Sequence, residues 1–414
     1  MAFKISKKMI LLFLMTLGPG IITSAVDNDA GGIATYSIAG SQFGYGFLWA
    51  MIPIALVLII IQEMGVRMGI ITGKGLSDLI REHFRIKITM LLMLGLIITN
   101  LGNVLGEFAG IAASGEMFGL SKYLLVPLCA IFVWVLIVKG NYKTMERAFL
   151  FACLFYISYV IAGFMANPNW AEISQNMVMP QINLSNAYIL MLVGLIGTTI
   201  APWMQFYLQS AVVEKGIRKE QYNYSKIDVI IGSLVTVIVM FFIIVATSAT
   251  LFKNGIIVNS AADAALALEP FAGAYASILF GLGLFMASLF AAAILPLSTA
   301  YFVCEAFGWD SSVNKKFKEA PQFYGLITFL ILIGALTILI PNIPLIPIMY
   351  LSQVINGLML PIILIMMLLI INNKKIMGQY TNGKWFNIIA WISAIALSIL
   401  SIVLVLQTIG ILKF

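Results

Sequence analysis

The sequence predicts an all-α integral membrane protein. It reads as eleven spanning helices, two of them broken at mid-span, arranged as an inverted five-plus-five repeat with one helix appended. Three observations carry this. Of 414 residues, 61% are apolar and 10% charged, and the mean hydropathy is +1.03; an average soluble domain is roughly 45–50% apolar and about 25% charged. Apolar runs of about 20 residues, enough to cross a bilayer, recur from end to end. The first and sixth runs are interrupted by residues that a lipid-facing helix does not tolerate. The composition excludes disorder, a disulfide scaffold and nucleic-acid binding.

Taken in order, the segments are about 9–41 (interrupted), 45–71, 88–118, 122–139, 145–166, 186–213 (interrupted), 225–252, 272–307, 322–341, 344–372 and 385–412. The leader MAFKISKK resembles the start of a signal peptide. Its apolar run continues into GPG and DNDAGG, an odd cleavage region, so it reads as the first half of a broken helix. Segment one carries VDNDAGGIA at 26–34, two carboxylates and a Gly-Gly pair in mid-span. Segment three spaces Gly102, Gly106, Gly110 and Ser114 four apart, a seam for close helix contact. Cys129, Cys153 and Cys304 lie inside apolar runs without metal-ligand spacing and read as packing thiols. Segment six carries GTTIAPWMQ at 197–205, where Pro202 removes a backbone donor. Segment nine has no charge, and segment ten carries Gln353 and Asn356 ahead of Pro361. The longest less apolar stretches, near 167–185 and 253–271, are too short for soluble domains, so residues 1–414 read as one transport domain.

The charges set the orientation. With the N-terminus inside, twenty-one of the 24 Lys and Arg residues fall on cytoplasmic segments, and only Lys122, Lys253 and Lys413 fall outside. That places the C-terminus outside and explains the net charge of +7 without nucleic acid. Broken backbone at membrane depth survives only where it lines a cavity or is buried in protein. Equivalent breaks in two halves of five helices point to an inverted-repeat transporter with a midplane site. The repeats would be 9–166 and 186–372, with 385–412 appended.

Asp29 is the central candidate, because a carboxylate in mid-membrane is costly and functional by default. The bland alternative is that it only caps the second half-helix. Asp27 is either a direct or water-mediated ligand or lines the access path, and Asn28 can offer its carbonyl. Thr198, Thr199 and Ala201 precede the second break; unwinding frees carbonyls there, unless the threonines merely bond back into their helix. Gln205 and Gln209 follow, either holding water near an ion or bonding neighbouring helices. Glu107 is a pathway acid or a buried partner to a hydroxyl, and Asn103 lies on the same helix. Gln353 and Asn356 either support the site or bond helix to helix. The only histidine, His83, lies in a basic loop, so a histidine metal cage or a Ser-His-Asp triad is excluded. No nucleophile–base pair is evident, so an enzyme is not expected.

These motifs resemble the Nramp divalent-metal transporters. The family's first-helix pattern DPGN, followed by WAT and AGxQFGY, is similar to DAGGIAT (29–35) and AGSQFGY (39–45). The sixth-helix pattern GATxMPHN is similar to GTTIAPWM (197–204). Family-like text also stands at IQEMGVRMGIITGKGL (61–76) and SQVINGLMLP (352–361). The resemblance implies a LeuT-type fold and puts the family's metal-binding aspartate on Asp29. It puts the metal-binding asparagine on Gly32, the carbonyl donor on Thr198, the metal-binding methionine on Ala201 and a histidine on Trp203. The third-helix acid pair is reduced to Asn103 and Glu107, and segment nine lacks the family's arginine. These departures are similar to those of the Nramp-related magnesium transporter branch, which implies Mg2+ and Mn2+ as substrates and no proton coupling.

The residues agree with that implication. A thioether favours transition metals over Mg2+, and Mg2+ keeps several waters while binding through one or two carboxylates. Glycine at 32 and alanine at 201 would then leave space for those waters beside Asp29. The alternative is a proton-coupled Mn2+/Fe2+ carrier, against which the missing Met and His argue. A Na+-driven organic-solute symporter is disfavoured because Asp27 and Asp29 would repel a substrate carboxylate. The expectation is therefore a monomeric carrier in a prokaryotic cytoplasmic membrane, with divalent metal ions and the lipid bilayer as its partners and no resident cofactor.

Overall fold

The structure is a computed structural model that describes residues 19–139 and 157–412. The start of segment one, most of segment five with Cys153, and Lys4, Lys7, Lys8, Lys143, Arg147 and Lys413 lie outside the described residues. Segment one is α1 (Pro19–Asp27) and α2 (Ala30–Phe43), and a 3-10 helical stretch (Gly44–Ala50) leads into α3 (Met51–Thr72). A short basic helix α4 (Leu76–His83) precedes α5 (Ile86–Met117) and α6 (Lys122–Lys139). The end of segment five is α7 (Ile157–Met165), and α8 (Trp170–Val178) lies in the following connection. Segment six is α9 (Asn186–Thr199) and α10 (Pro202–Glu214). The remaining long helices are α11 (Tyr222–Thr250), α12 (Ala276–Phe307), α13 (Pro321–Ile338), α14 (Leu345–Ile371) and α15 (Lys384–Thr408). Among the described residues, nine continuous helical stretches are long and apolar enough to cross a membrane, and one of these, Ala30–Thr72, joins α2 to α3. Each of the eleven expected segments coincides with a helix, the fifth only through α7.

The outward faces carry large apolar side chains, among them Leu91, Ile131, Leu336 and Ile392. In water so much exposed apolar surface would drive association; in a bilayer it is the lipid face. Inside, α5 packs most extensively against α12 and α14. The glycine seam explains how. A Cβ on Gly102 or Gly106 would stand 3.6 or 3.4 Å from the Ser352 side chain, and one on Gly110 would press to 2.5 Å from the Cβ of Ala30. Small residues thus bring α5 against α14 and against the start of α2.

Helix α11 splints both halves of the first broken helix. Near one end, Asp228 Oδ2 accepts the Gly20 N–H at 2.7 Å and Thr236 Oγ1 donates to Ser24 O at 2.8 Å. Near the other, Ser248 Oγ donates to Gly40 O at 3.3 Å. Cys129 and Cys304 are buried free thiols, and His83 closes α4 with its ring beside Leu79 O.

Candidate metal-binding site

The first break falls at Asn28 and Asp29. Helix α1 ends at Asp27, and Asp29 takes an extended conformation as N-cap of α2. Its Oδ1 accepts the Gly32 N–H at 2.7 Å. Glu107 Oε2, reaching in from α5, accepts the Ala30 N–H at 3.3 Å. Two carboxyl groups thereby satisfy backbone donors that the start of a helix leaves unpaired. Glu107 and Asp29 thus take up neighbouring backbone donors at the start of the same helix, and Glu107 Oε1 is left without a partner. Asp29 therefore both caps α2 and lines the gap.

Asp27 differs. It is 2% exposed, and neither carboxylate oxygen finds a hydrogen-bond donor. A buried polar group without a partner costs free energy, so each such group calls for an explanation. The sequence ranked Asp29 first; the geometry leaves Asp27 with more unused acceptor capacity.

The second break falls at Ile200 and Ala201. Pro202 is the first residue of α10, where its missing N–H costs nothing. Ala201 provides no side-chain cap, and its carbonyl accepts from Gln205 Nε2 at 3.5 Å. Thr199 Oγ1 bonds back to Leu195 O at 2.8 Å, as the bland reading of the threonines expected, and also meets the Tyr36 hydroxyl at 3.1 Å. Helix α1 ends at the first gap and α9 at the second, and the C-terminal ends of helices carry roughly half a negative charge, which favours a cation.

Gln353 links the two breaks. Its side chain fills the place a Cβ on Gly31 would occupy, and its backbone lies against Gly197 of α9. From it an amide chain runs outward. Asn356 Nδ2 donates to Gln353 Oε1 at 2.7 Å and to Asn103 Oδ1 at 2.9 Å, and Asn103 Nδ2 donates to Asn100 Oδ1 at 3.1 Å. Asn100 Nδ2 in turn donates to Leu295 O at 2.8 Å on α12. Asn103, Asn356 and Gln353 thus form one connected group against the break.

All fourteen candidate residues are buried, but they do not form one cluster. Asp27, Asp29, Gly32 and Thr198 converge. Gln209 instead donates to Lys74 O at 2.9 Å in the loop after α3. Trp203 lends its backbone carbonyl to Ser298. Among the described residues, no three His, Cys, Asp or Glu side chains are arranged to hold a metal.

One expectation is corrected. Glycine at 32 does not open space beside Asp29. A Cβ there would stand 2.8 Å from the backbone oxygen of Asp27, 3.3 Å from Thr198 Oγ1 and 3.5 Å from the Tyr36 ring. The position is closed by the chain folding back at the break, so glycine is required by contact.

Three features escaped the sequence reading. Tyr36, fully buried, faces the gap from α2; its position two helical turns after Asp29, on the same face, was the available signal. Asn100 extends the amide chain. A knot forms where Arg67 pairs with Glu63 at 3.1 Å and reaches Asn382 and the carbonyls of Tyr380 and Thr381, while Tyr222 donates to Glu63. At the same end, α10 is held by Ser210 donating to Glu305 at 2.5 Å and by Ser312 and Asn314 donating to Glu214 at 2.6 and 2.8 Å.

Comparison with known proteins gives a consistent picture. The profile of Nramp, described as natural resistance-associated macrophage protein-like, matches residues 20–407. The divalent metal cation transporter MntH of Bacillus subtilis (strain 168) is 26% identical over 409 residues, covering 95% of this chain and 92% of that one. The crystal structure of the Eremococcus coleocola manganese transporter superposes with a TM-score of 0.78 at 17% identity, over 98% of this chain and 89% of that one. Mhp1, a nucleobase-cation-symport-1 family transporter, superposes with a TM-score of 0.56 at 14% identity, over 96% and 94%. These likenesses give the chain a LeuT-type membrane fold.

Proposed function

The chain belongs to the Nramp family, and from that premise we propose that it is a secondary transporter of Mg2+, with Mn2+ as a second substrate, moving partly hydrated ions without proton coupling. The observation that carries the reading is the donor chemistry of the first break. Asp27 and Asp29 are buried within a few residues of each other, with Asn28 between them and the Thr198 hydroxyl beside Gly32. Oxygen donors with one or two carboxylates suit Mg2+, which sheds water reluctantly. Ala201 supplies no sulfur at the second break, so the soft ligand that would favour a transition metal is absent from that position.

Uncoupled transport rests on the groups that lead away from the site. Asn100, Asn103, Asn356 and Gln353 are amides with no titratable proton. Trp203 follows Pro202, and α13 has no charged residue. One observation favours a second reading, with Mn2+ as the principal substrate. A thioether approaches the site, Met240 Sδ, which lies 3.6 Å from Thr199 Oγ1.

Flux into proteoliposomes with Mg2+, Mn2+ and Ca2+, with an internal pH dye, tests both readings. Mg2+ uptake with a flat dye signal is expected. Mn2+ uptake without Mg2+ uptake, or acidification that depends on the metal, would replace the proposal with the proton-coupled alternative.

The same reading takes the chain as one monomeric transport domain in a prokaryotic cytoplasmic membrane, N-terminus inside and C-terminus outside. The charge bias supports that orientation. A cysteine placed at the exposed Asn254 should label on intact cells, and one at the exposed Lys316 should not. The reverse pattern would invert the topology.

A further inference from the structure

With Gly32 closed by the Asp27 carbonyl, water accompanying an ion must lie elsewhere around the gap. The side that offers unused acceptors is formed by Asp27 and Tyr36. Tyr36 is fully buried, its hydroxyl lies 3.1 Å from Thr199 Oγ1, and the carboxylates of Asp27 and Asp29 are its electrostatic neighbours. No hydrogen bond joins Tyr36 to Asp27, whose two oxygens are both unpartnered.

The direction of the Tyr36–Thr199 bond follows from counting protons. A threonine hydroxyl has one hydrogen, and Thr199 gives it to Leu195 O at 2.8 Å. Tyr36 must then be the donor to Thr199, which leaves the lone pairs of its own oxygen free. The wall made by Asp27 and Tyr36 is therefore all acceptor. Its natural complement is a ligand whose surface is all donor, and water molecules bound to a cation point their hydrogens outward.

We infer that Tyr36, held in place by Thr199, acts with Asp27 to recognise the water shell of the transported cation and so sets the preference for Mg2+ over Mn2+. This rests on the proposed function and names a selectivity residue for it. Mg2+ retains its shell more firmly than a transition metal does, so loss of a contact to that water falls more heavily on Mg2+.

Tyr36→Phe tests this, because it keeps the ring and removes the oxygen. KM for Mg2+ and for Mn2+ is measured in proteoliposomes for the unsubstituted protein and the variant. The KM for Mg2+ should rise about tenfold, the equivalent of one hydrogen bond to a charged partner, while the KM for Mn2+ rises clearly less. Thr199→Ser, which keeps the acceptor, should leave the ratio of the two constants where it stands in the unsubstituted protein. Thr199→Val should shift Mg2+ in the same direction as Tyr36→Phe, and it carries the test if Tyr36→Phe does not fold. An equal rise for both metals would mark Tyr36 as purely structural and overturn the inference, as would an unchanged Mg2+ KM. Absence of Mg2+ flux in the unsubstituted protein would overturn the functional reading itself, and this inference with it. That result is distinct from normal flux with an unresponsive Tyr36→Phe.

Discussion

At the first break the chain places two carboxylates in the membrane, and at the second it places none. Asp29 and Glu107 close the open end of α2 with carboxyl oxygens. The open end of α10 needs less, because Pro202 at its first position removes one of the donors to be satisfied. One break is thus held by side chains that attract a cation, the other by backbone geometry and hydroxyls. Coulombic binding then comes from the first half of the molecule, and the second half adjusts shape and hardness. Loss of the Asp29 carboxylate at the first break should abolish transport, and substitutions at the second break should tune it.

The largest effect is expected from Asp29→Ala. Divalent flux in proteoliposomes should be lost, while the protein still elutes as a folded species. Losing an N-cap costs about 0.5–2 kcal/mol, too little to unfold a bundle of this size. Normal Mg2+ flux would remove Asp29 from the site and dissolve the contrast between the breaks.

Gly32→Ala should act on stability. The added methyl meets the Asp27 backbone oxygen at 2.8 Å, and overpacking of this kind costs about 1–3 kcal/mol. A lower midpoint for thermal unfolding in detergent checks it; an unchanged midpoint would mean that the break can open there after all.

Ala201→Met is the tuning experiment. It adds a thioether at the second break without touching a carboxylate, so flux should persist with the Mn2+/Mg2+ ratio raised. A ratio that does not move would place selectivity wholly at the first break.

Pro202→Ala should be the mildest. Proline at the first position of a helix gives up no hydrogen bond, and its replacement loses about 0.4–1 kcal/mol through the freer unfolded chain. Transport should be retained. Loss of flux would show that the proline, and not the surrounding packing, maintains the break.

Much of this architecture was legible because its signals are local. Apolar runs, basic loops, a Gly-Gly pair after two aspartates and a proline in mid-span each declare themselves within a few residues. Both breaks therefore fell where expected, at 28–29 and 200–201. The contents of the space around them were not legible in the same way. Glycine at 32 suggested room, because a sequence records side-chain volume and not which backbone passes in front of it. The fold turns the Asp27 carbonyl into that volume. Gln353 read as a plausible supporting group, yet nothing in its neighbours could show that it touches Gly31 with its side chain and Gly197 with its backbone.

The sequence by itself determined the membrane class, the segments, the two breaks and the buried carboxylates, since hydropathy, helix-breaking residues and the cost of charge in lipid are properties of short stretches of chain. Tertiary structure alone decided how those carboxylates are employed. Asp29 is taken up in capping α2, with Glu107 on a neighbouring backbone donor, while Asp27 is left without a donor. The physical reason is that a hydrogen-bond partner is a position in space. The partners here come from helices 77, 163 and 253 residues apart in the chain, and only the packed bundle brings them within 3 Å or so of one another.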